Sequence, residues 1–91
     1  MELILDLGDE DEQEWLDGHL GERGLGIEDV LAAASSLVPR RKGDRLFGYG
    51  RGVGGRPIVV VFSKNQRAWR PRTAWPMNEV EWRWWRRHGG G

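Results

Sequence analysis

The first third of the chain has the apolar spacing of two helices. Residues 1–8 alternate weakly, which indicates a short strand or an arm. The acidic segment after Asp9 predicts a helix to about Gly21, because carboxylates in a first turn meet the positive end of the helix dipole. Gly24 and Gly26 then interrupt the chain, and residues 27–36 predict a second helix that Pro39 ends. The side chains predicted to face inward are Trp15, Leu16, His19 and Leu20, then Ile27, Val30, Leu31 and Ala34.

From residue 45 onward the apolar spacing becomes that of strands. Residues 45–51 alternate, with Phe47 and Tyr49 sharing one face with two arginines. Residues 57–63 contain an unbroken apolar run typical of a central strand buried on both faces. Residues 67–75 predict a further strand, at the edge of the sheet because Pro71 cannot donate a ladder hydrogen bond. Its predicted faces are Trp69, Thr73 and Trp75 on one side and Arg70 and Arg72 on the other.

The C-terminal segment predicts one more helix. Asn78 followed by Glu81 is typical of a capping box, so the helix should span residues 79–88, with a disordered tail at residues 89–91. A helical wheel places on the inner side Met77, Val80, Glu81, Trp84, Trp85 and His88. The predicted fold is α+β in a single domain, residues 1–91: two N-terminal helices, a three- to four-stranded mainly antiparallel sheet, and a C-terminal helix packed on the sheet.

Charge divides the chain into two parts. Residues 1–30 contain eleven acidic side chains and one basic one, Arg23, whereas residues 31–91 contain thirteen basic and three acidic ones. This asymmetry predicts a basic surface for a polyanion, beside an acidic segment that covers it or faces a basic partner. The alternative is that both sets only coat a small domain and attract each other within it.

Several classes of site are excluded or disfavoured. The absence of cysteine excludes a disulfide framework and a thiolate metal site. Residues 50–55 match G-x-G-x-x-G, but a strand follows them instead of a helix, which predicts a hairpin loop. The longest apolar run is too short to cross a bilayer, and no signal peptide is evident. We therefore expect a cytoplasmic protein with no membrane role, no cofactor and no metal.

The basic residues favour contact with nucleic acid. Arginine predominates over lysine, and its planar fork suits phosphate contacts and stacking on bases. The predicted RNA-binding residues are Arg45, Tyr49, Arg51, Arg56, Lys64 and Arg67. The wheel also places Trp82 among arginines on the outer side of the last helix, which predicts a partner surface of Trp82, Arg83 and Arg86. Glu81 lies on the inner side, so it should be either an ion-pair partner of Arg70 or Arg72 or a general base.

Three segments in their order resemble the BrnT-like toxins, a branch of the RelE-type fold of bacterial toxin–antitoxin pairs. They are the helix junction at residues 19–30, the strand pair at residues 45–62, and residues 73–85, which keep the Ala and Glu of the family as Ala74 and Glu81. Arg23 stands where the family usually has His. Where the family commonly has Arg, Arg and Tyr, this chain has Trp75, Trp82 and Trp85.

The resemblance implies a toxin that cleaves RNA without a metal and is silenced by an antitoxin, for which we expect an acidic segment. In such chemistry a base activates the ribose 2′-hydroxyl while cations stabilise the transition state. Glu81 is the expected base, Arg70 and Arg72 are the expected cations, and His19 and His88 are further acid–base candidates. The three tryptophans favour the alternative, a non-catalytic module that binds protein or nucleic acid. The acidic residues 9–14 of a second copy would be the partner in a homo-oligomer.

Overall fold

The protein, in a computed structural model, is described over residues 4–90, and it forms a four-stranded antiparallel sheet with three helices. The strands lie in the order β1-β2-β3-β4, and a 3₁₀ turn at Val53–Gly55 joins β2 to β3. The predicted α+β class is confirmed. The elements are α1 Glu10–Gly21, α2 Ile27–Ala34, β1 Val38–Lys42, β2 Arg45–Arg51, β3 Pro57–Asn65, β4 Ala68–Pro76 and α3 Glu79–Arg87.

The two faces of the sheet are built differently. We call the face under α1 and α2 the packed face; its largest buried side chains include Leu20, Val30, Ile58 and Phe62. We call the opposite face the open face, because α3 covers only part of it. There Tyr49, Val59 and Trp85 are buried, with Phe47 and Trp75 partly buried beside them. Alternation along β2 and β3 therefore supplies both faces, as predicted for those strands.

The inward sides of α1 and α2 differ from the prediction. Leu16 and Leu20 are buried, but Trp15 is 65% exposed, because the packing side of α1 is centred on the leucines and the preceding residue lies about 100° away on the helix. In α2, Leu31 is exposed and the buried residues are Asp29, Val30 and Ala33. The predicted inward positions of Trp15 and Leu31 were therefore wrong.

The sequence pattern did not predict β1. Pro39 was expected only to end the second helix, yet it pairs with Gly48 within the β1–β2 ladder. An edge strand tolerates proline because one row of its N–H groups needs no partner strand. Gly48 is needed opposite it, since a Cβ there would lie 2.8 Å from a Leu37 methyl and 3.0 Å from the Phe62 ring.

A β-bulge in β4 changes which of its side chains share a face. Val61 pairs with Thr73 and Phe62 with Pro71, so Arg72 has no partner in the register. Trp69 consequently lies with the packed-face core, whereas Trp75 lies on the open face. The prediction that these two tryptophans share a face was wrong, because period-2 alternation does not continue across a bulge.

The C-terminal helix begins at the predicted capping box. The Glu81 N–H donates to Asn78 Oδ1 at 2.8 Å, and the Asn78 N–H donates to Glu81 Oε1 at 2.9 Å. Trp85 is buried and Trp84 packs beside it, as predicted. Val80 and His88 are exposed, against the prediction, and none of the helices within residues 4–90 is long and apolar enough to cross a membrane.

Both predicted terminal segments extend beyond the described part of the chain. In the predicted arm, Leu5 forms a parallel bridge with Trp69, and the Trp69 N–H donates to the Ile4 carbonyl at 2.8 Å. In the predicted tail, the Gly90 N–H donates to the Trp85 carbonyl at 2.8 Å. Residues 1–3 and residue 91 lie outside the described residues.

Candidate nucleic-acid interface

Three rows of side chains cross the open face, because the strand register places them side by side. The row at one end is polar and cationic: Lys42, Arg45, Ser63 and Arg70. The middle row is Arg40, Phe47, Val61 and Thr73. The row under α3 is Val38, Tyr49, Val59 and Trp75. The open face thus grades from charge at one end to buried aromatic packing at the other.

Cations lie over aromatic rings along this face. The Arg40 guanidinium is 4.9 Å from the Trp84 ring centre, and Lys42 Nζ is 5.4 Å from that of Phe47. Arg51 lies 4.9 Å from the Trp85 ring centre. Within residues 4–90, none of these three cations, nor Arg45, forms an ion pair with a carboxylate. Their charges are therefore available to an external anion, while the rings hold the side chains in place.

A group of polar residues surrounds Trp75 at the β4 edge of the open face. His19 Nε2 lies 3.2 Å from Thr73 Oγ1, and Arg23 Nη1 donates to the same oxygen at 3.0 Å. The Arg23 guanidinium also lies 6.0 Å from the Trp75 ring centre. Glu81 accepts the indole N–H of Trp75. We call His19, Arg23, Thr73, Trp75 and Glu81 the Trp75 cluster; it combines an imidazole, a guanidinium and a carboxylate.

Glu81 does not have the partners that were predicted for it. Its two carboxylate oxygens lie 3.1 and 3.0 Å from Trp75 Nε1, and one of them also accepts the Asn78 N–H. It takes part in no ion pair within the described chain, so the predicted pair with Arg70 or Arg72 was wrong. The capping box fixes Glu81 at the start of α3, and the neighbouring Trp75 provides its side-chain donor.

Arg70 and Arg72 lie toward α1 instead. Arg70 contacts Glu12 at 2.8 Å and Asp6 at 3.4 Å. The pKa of Asp6 is lowered below its ordinary value, chiefly because the Asp6 carboxylate accepts the Gly8 N–H. Desolvation raises this pKa, whereas the charge of Arg70 and a hydrogen bond from Asn65 lower it further. Arg72 donates from Nε to Ser63 Oγ at 2.7 Å and is otherwise exposed. Arg70 is thus neutralised by carboxylates, whereas Arg72 forms no ion pair within residues 4–90.

The other residues predicted to bind RNA do not share one surface. Tyr49 is only 3% exposed and its ring centre lies 4.6 Å from that of Trp84, so it is not available to stack on a base. Arg56 donates to the Gly24 carbonyl at 2.9 Å, and Lys64 lies 4.8 Å from the Trp69 ring centre. Arg67 lies in the turn between β3 and β4. Of the predicted set, Arg45, Tyr49 and Arg51 lie on the open face, and of these three only the two arginines are exposed.

Four cationic or titratable residues of this face were missed or given minor roles by the sequence interpretation. Arg40 and Lys42 depended on β1, which Pro39 concealed. His19 was kept only as a reserve, since its proximity to Thr73 joins residues far apart in the chain. Arg23 did carry a signal, because it is the single basic residue among the first 30.

The predicted partner surface on α3 is only partly open. Trp82 is 37% exposed, and Arg86 lies 4.8 Å from its ring centre. Its ring borders a shallow cavity of about 400 Å³ formed with Pro57, Pro76 and Met77. Arg83 pairs with Glu79 at 2.6 Å along the helix. An indole rimmed by arginines therefore lies at the surface, as the wheel predicted.

Across residues 4–90, no three His, Asp or Glu side chains are grouped to hold a metal ion.

No protein-family model and no curated protein matches the sequence. Among solved structures, the chain is similar to the 1.1 Å crystal structure of the Brucella abortus ribonuclease toxin, BrnT. The two share 22% sequence identity over 87% of this chain and 99% of that one, with a TM-score of 0.49.

Proposed function

We propose that this protein is the toxin of a type II toxin–antitoxin pair, and that it binds single-stranded RNA across the open face and cleaves it without a metal. The observation that carries the proposal is a set of cations on that face that form no ion pair within residues 4–90: Arg40, Lys42 and Arg45 in adjacent rows, with Arg72 beside them. Backbone phosphates are the anions whose spacing suits such a row.

Single-stranded RNA fits this face better than a duplex. Phe47 and Trp75 are partly exposed between the cations, at an edge-to-face distance of 6.4 Å from each other. Unpaired bases can stack on such rings, whereas the bases of a duplex are already stacked on each other. Aromatic platforms interleaved with arginines favour a strand that lies along the sheet with its phosphates toward Arg45 and Arg72.

The Trp75 cluster supplies the groups that cleavage needs. A base removes the ribose 2′-hydroxyl proton, the 2′-oxygen bonds to the adjacent phosphorus, and the bond to the 5′-oxygen breaks as that oxygen takes a proton. Glu81 serves as base, and His19 donates to the leaving oxygen. Arg23 and Arg72 neutralise the phosphorane-like transition state. Arg23 takes the place of Arg70, whose charge Asp6 and Glu12 already balance.

Two charge-matched triple variants test the RNA-binding part of the proposal. In the first, Lys42, Arg45 and Arg72 are each replaced by Gln; in the control, Arg56, Lys64 and Arg67 are. Fluorescence anisotropy with a labelled single-stranded RNA is recorded across a range of salt. We expect the first variant to reduce the slope of log affinity against log salt by about 2, at roughly 0.7 per lost phosphate contact. Equal effects of the two variants would contradict the proposal.

The second candidate function is RNA binding without cleavage. It is favoured by the structural role of Glu81, because its carboxylate accepts the Asn78 N–H in the capping box and the indole N–H of Trp75. Inducible expression distinguishes the two candidates. A ribonuclease toxin should arrest growth and fragment total RNA together, whereas a binding module should leave total RNA intact.

A partner surface belongs to the same proposal. The rim of Trp82, Arg83 and Arg86 suits an antitoxin segment that is acidic, because a large ring within a cationic rim is typical of the centre of binding patches. The same rim would accept the acidic residues 9–14 of a second copy.

A further inference from the structure

We infer that the cavity between α1 and β4 is a nucleobase subsite that accepts a guanine stacked on Trp15, an inference that rests on the proposed RNA binding. The cavity has a volume of about 250 Å³ and is lined by apolar groups of Leu7, Leu16 and Pro71 and by Trp15. Drug-sized ligands occupy pockets from roughly 300 Å³ upward, so this one suits a smaller planar group such as a single base.

Trp15 is held as a platform rather than used as core. It is 65% exposed, although a tryptophan this open on a small domain leaves a large apolar surface in water. Its ring stacks on His19 four residues later, with centres 5.1 Å apart and planes within 4° of parallel. This stacking fixes the plane of the indole. Because most of the ring is open to solvent, a base can stack on it without rearrangement of the helix.

The cavity shares one residue, Arg72, with the proposed catalytic groups. Its wall includes Arg72, which is exposed and forms no ion pair among residues 4–90, and Arg70, which Glu12 holds at 2.8 Å. His19, which supports Trp15, also lies 3.2 Å from Thr73 of the Trp75 cluster. A nucleotide whose base lies on Trp15 therefore has its own phosphate near Arg72. Its neighbour along the strand continues onto the open face.

Asp11 selects which base this is. It lines the cavity, is exposed, and makes no hydrogen bond or ion pair with a side chain among residues 4–90, whereas the Glu12 carboxylate beside it is engaged by Arg70. An ionised carboxylate only accepts hydrogen bonds, and it can accept two that are parallel. Guanine presents two adjacent donors on its Watson–Crick edge, the N1–H and the 2-amino group, while adenine and cytosine present one amino group and uracil one N–H.

Binding of 2′-O-methyl heptanucleotides tests the subsite without cleavage. The central nucleoside is guanosine, inosine or adenosine, and the flanking nucleosides are uridines. We expect the wild type to prefer guanine over adenine by about tenfold, the discrimination of one bidentate contact. Inosine, which lacks the 2-amino group, should bind with intermediate affinity. Asp11→Asn should abolish the preference, whereas Glu14→Gln, which removes a nearby charge outside the cavity, should keep it.

Substitutions at Trp15 test the platform separately. Trp15→Leu should weaken binding of all three oligonucleotides about tenfold, Trp15→Phe should retain most of the affinity, and Leu31→Ala, which also shortens an exposed apolar side chain, should have no effect. If Trp15→Leu binds like the wild type, or if guanine is not preferred, the subsite is excluded while RNA binding stands. If the wild type binds none of the oligonucleotides, the proposed function fails and the subsite fails with it.

Discussion

The packed and open faces of the sheet are made by the same strands, yet they contain different chemistry. On the packed face, Ile58, Val60 and Phe62 of β3 are completely buried under aliphatic side chains of α1 and α2. On the open face, the alternate residues of β2 are Arg45, Phe47 and Tyr49, and the covering residues of α3 are tryptophans. One face excludes water, and the other holds cations at the boundary with water.

This difference shows where the fold tolerates charge. Within the described chain, Asp29 is the single buried charged residue, and it accepts the N–H groups of Gly26 and Val53 at 2.9 Å each with Arg56 nearby. The open face instead keeps cations that form no ion pair in the described part of the chain. This costs little free energy, because their head groups stay hydrated while aromatic rings bury apolar surface beside them. A surface of this kind adds little to stability and is suited to binding.

The largest effect should come from exchanging phenylalanine for alanine on the two faces. Phe62→Ala empties a fully buried site and should lower the free energy of unfolding by about 3–5 kcal/mol. Phe47→Ala removes a ring that is partly exposed and should cost less, while weakening RNA binding. Urea denaturation and RNA anisotropy on both variants provide the measurements. Equal losses of stability would erase the distinction between the faces.

Much of this fold could be predicted from the sequence, because its periodicity is local. The apolar run of β3, the alternation of β2 and the capping box of α3 each depend on neighbouring residues, and all three are present. β1 and the bulge at Arg72 depend on pairing between strands, so neither has a local signature. Because of the bulge, Trp69 lies on the packed face and not, as predicted, on the same face as Trp75.

The candidate site was less predictable for the same reason. Arg45 and Arg51 were placed on the correct face because they share a strand with Phe47. The Trp75 cluster joins His19 and Arg23 of the first 30 residues to Thr73 and Glu81, and no spacing along the chain indicates that contact. The family resemblance pointed to Glu81, whereas its partners could come only from the folded structure.

The next effect separates catalysis from stability at the edge of the open face. Glu81→Gln removes the charge of the proposed base and should slow RNA cleavage by at least about 10²-fold. Glutamine also closes capping boxes, so stability should change by less than about 1 kcal/mol. Cleavage of a labelled RNA and thermal unfolding are measured together. Full cleavage by this variant would assign Glu81 to structure and would favour the binding module.

A smaller effect, on binding, is expected from the outer side of α3. Trp82→Ala should weaken binding of the proposed antitoxin by about 2 kcal/mol, because the ring lies at the centre of the proposed partner surface. Its effect on folding should be small, since the ring is 37% exposed. Trp85→Ala, by contrast, removes a ring that is 2% exposed and should destabilise the fold by about 3–5 kcal/mol. Calorimetry of the complex and denaturation of the free protein measure the two effects. If Trp82→Ala unfolds, the Trp82 ring belongs to the core and not to a partner surface.

The smallest effect concerns the boundary between the faces, where Asp6 connects the arm to Arg70. Its pKa is lowered chiefly by the Gly8 N–H bond, so the folded state favours the ionised carboxylate. A lowered folded-state pKa contributes stability above the ordinary aspartate value of about 4, and that contribution is lost as pH falls through the folded-state value. The free energies of unfolding of the wild type and of Asp6→Asn should therefore differ at pH 6 and converge toward pH 3.

Because Asp6 and Glu12 neutralise Arg70, the variant should also leave more positive charge beside Arg72 and steepen the salt dependence of RNA binding. If the free energies of unfolding of the two proteins instead change in parallel with pH, the Asp6 carboxylate of the arm makes no charge-dependent contact.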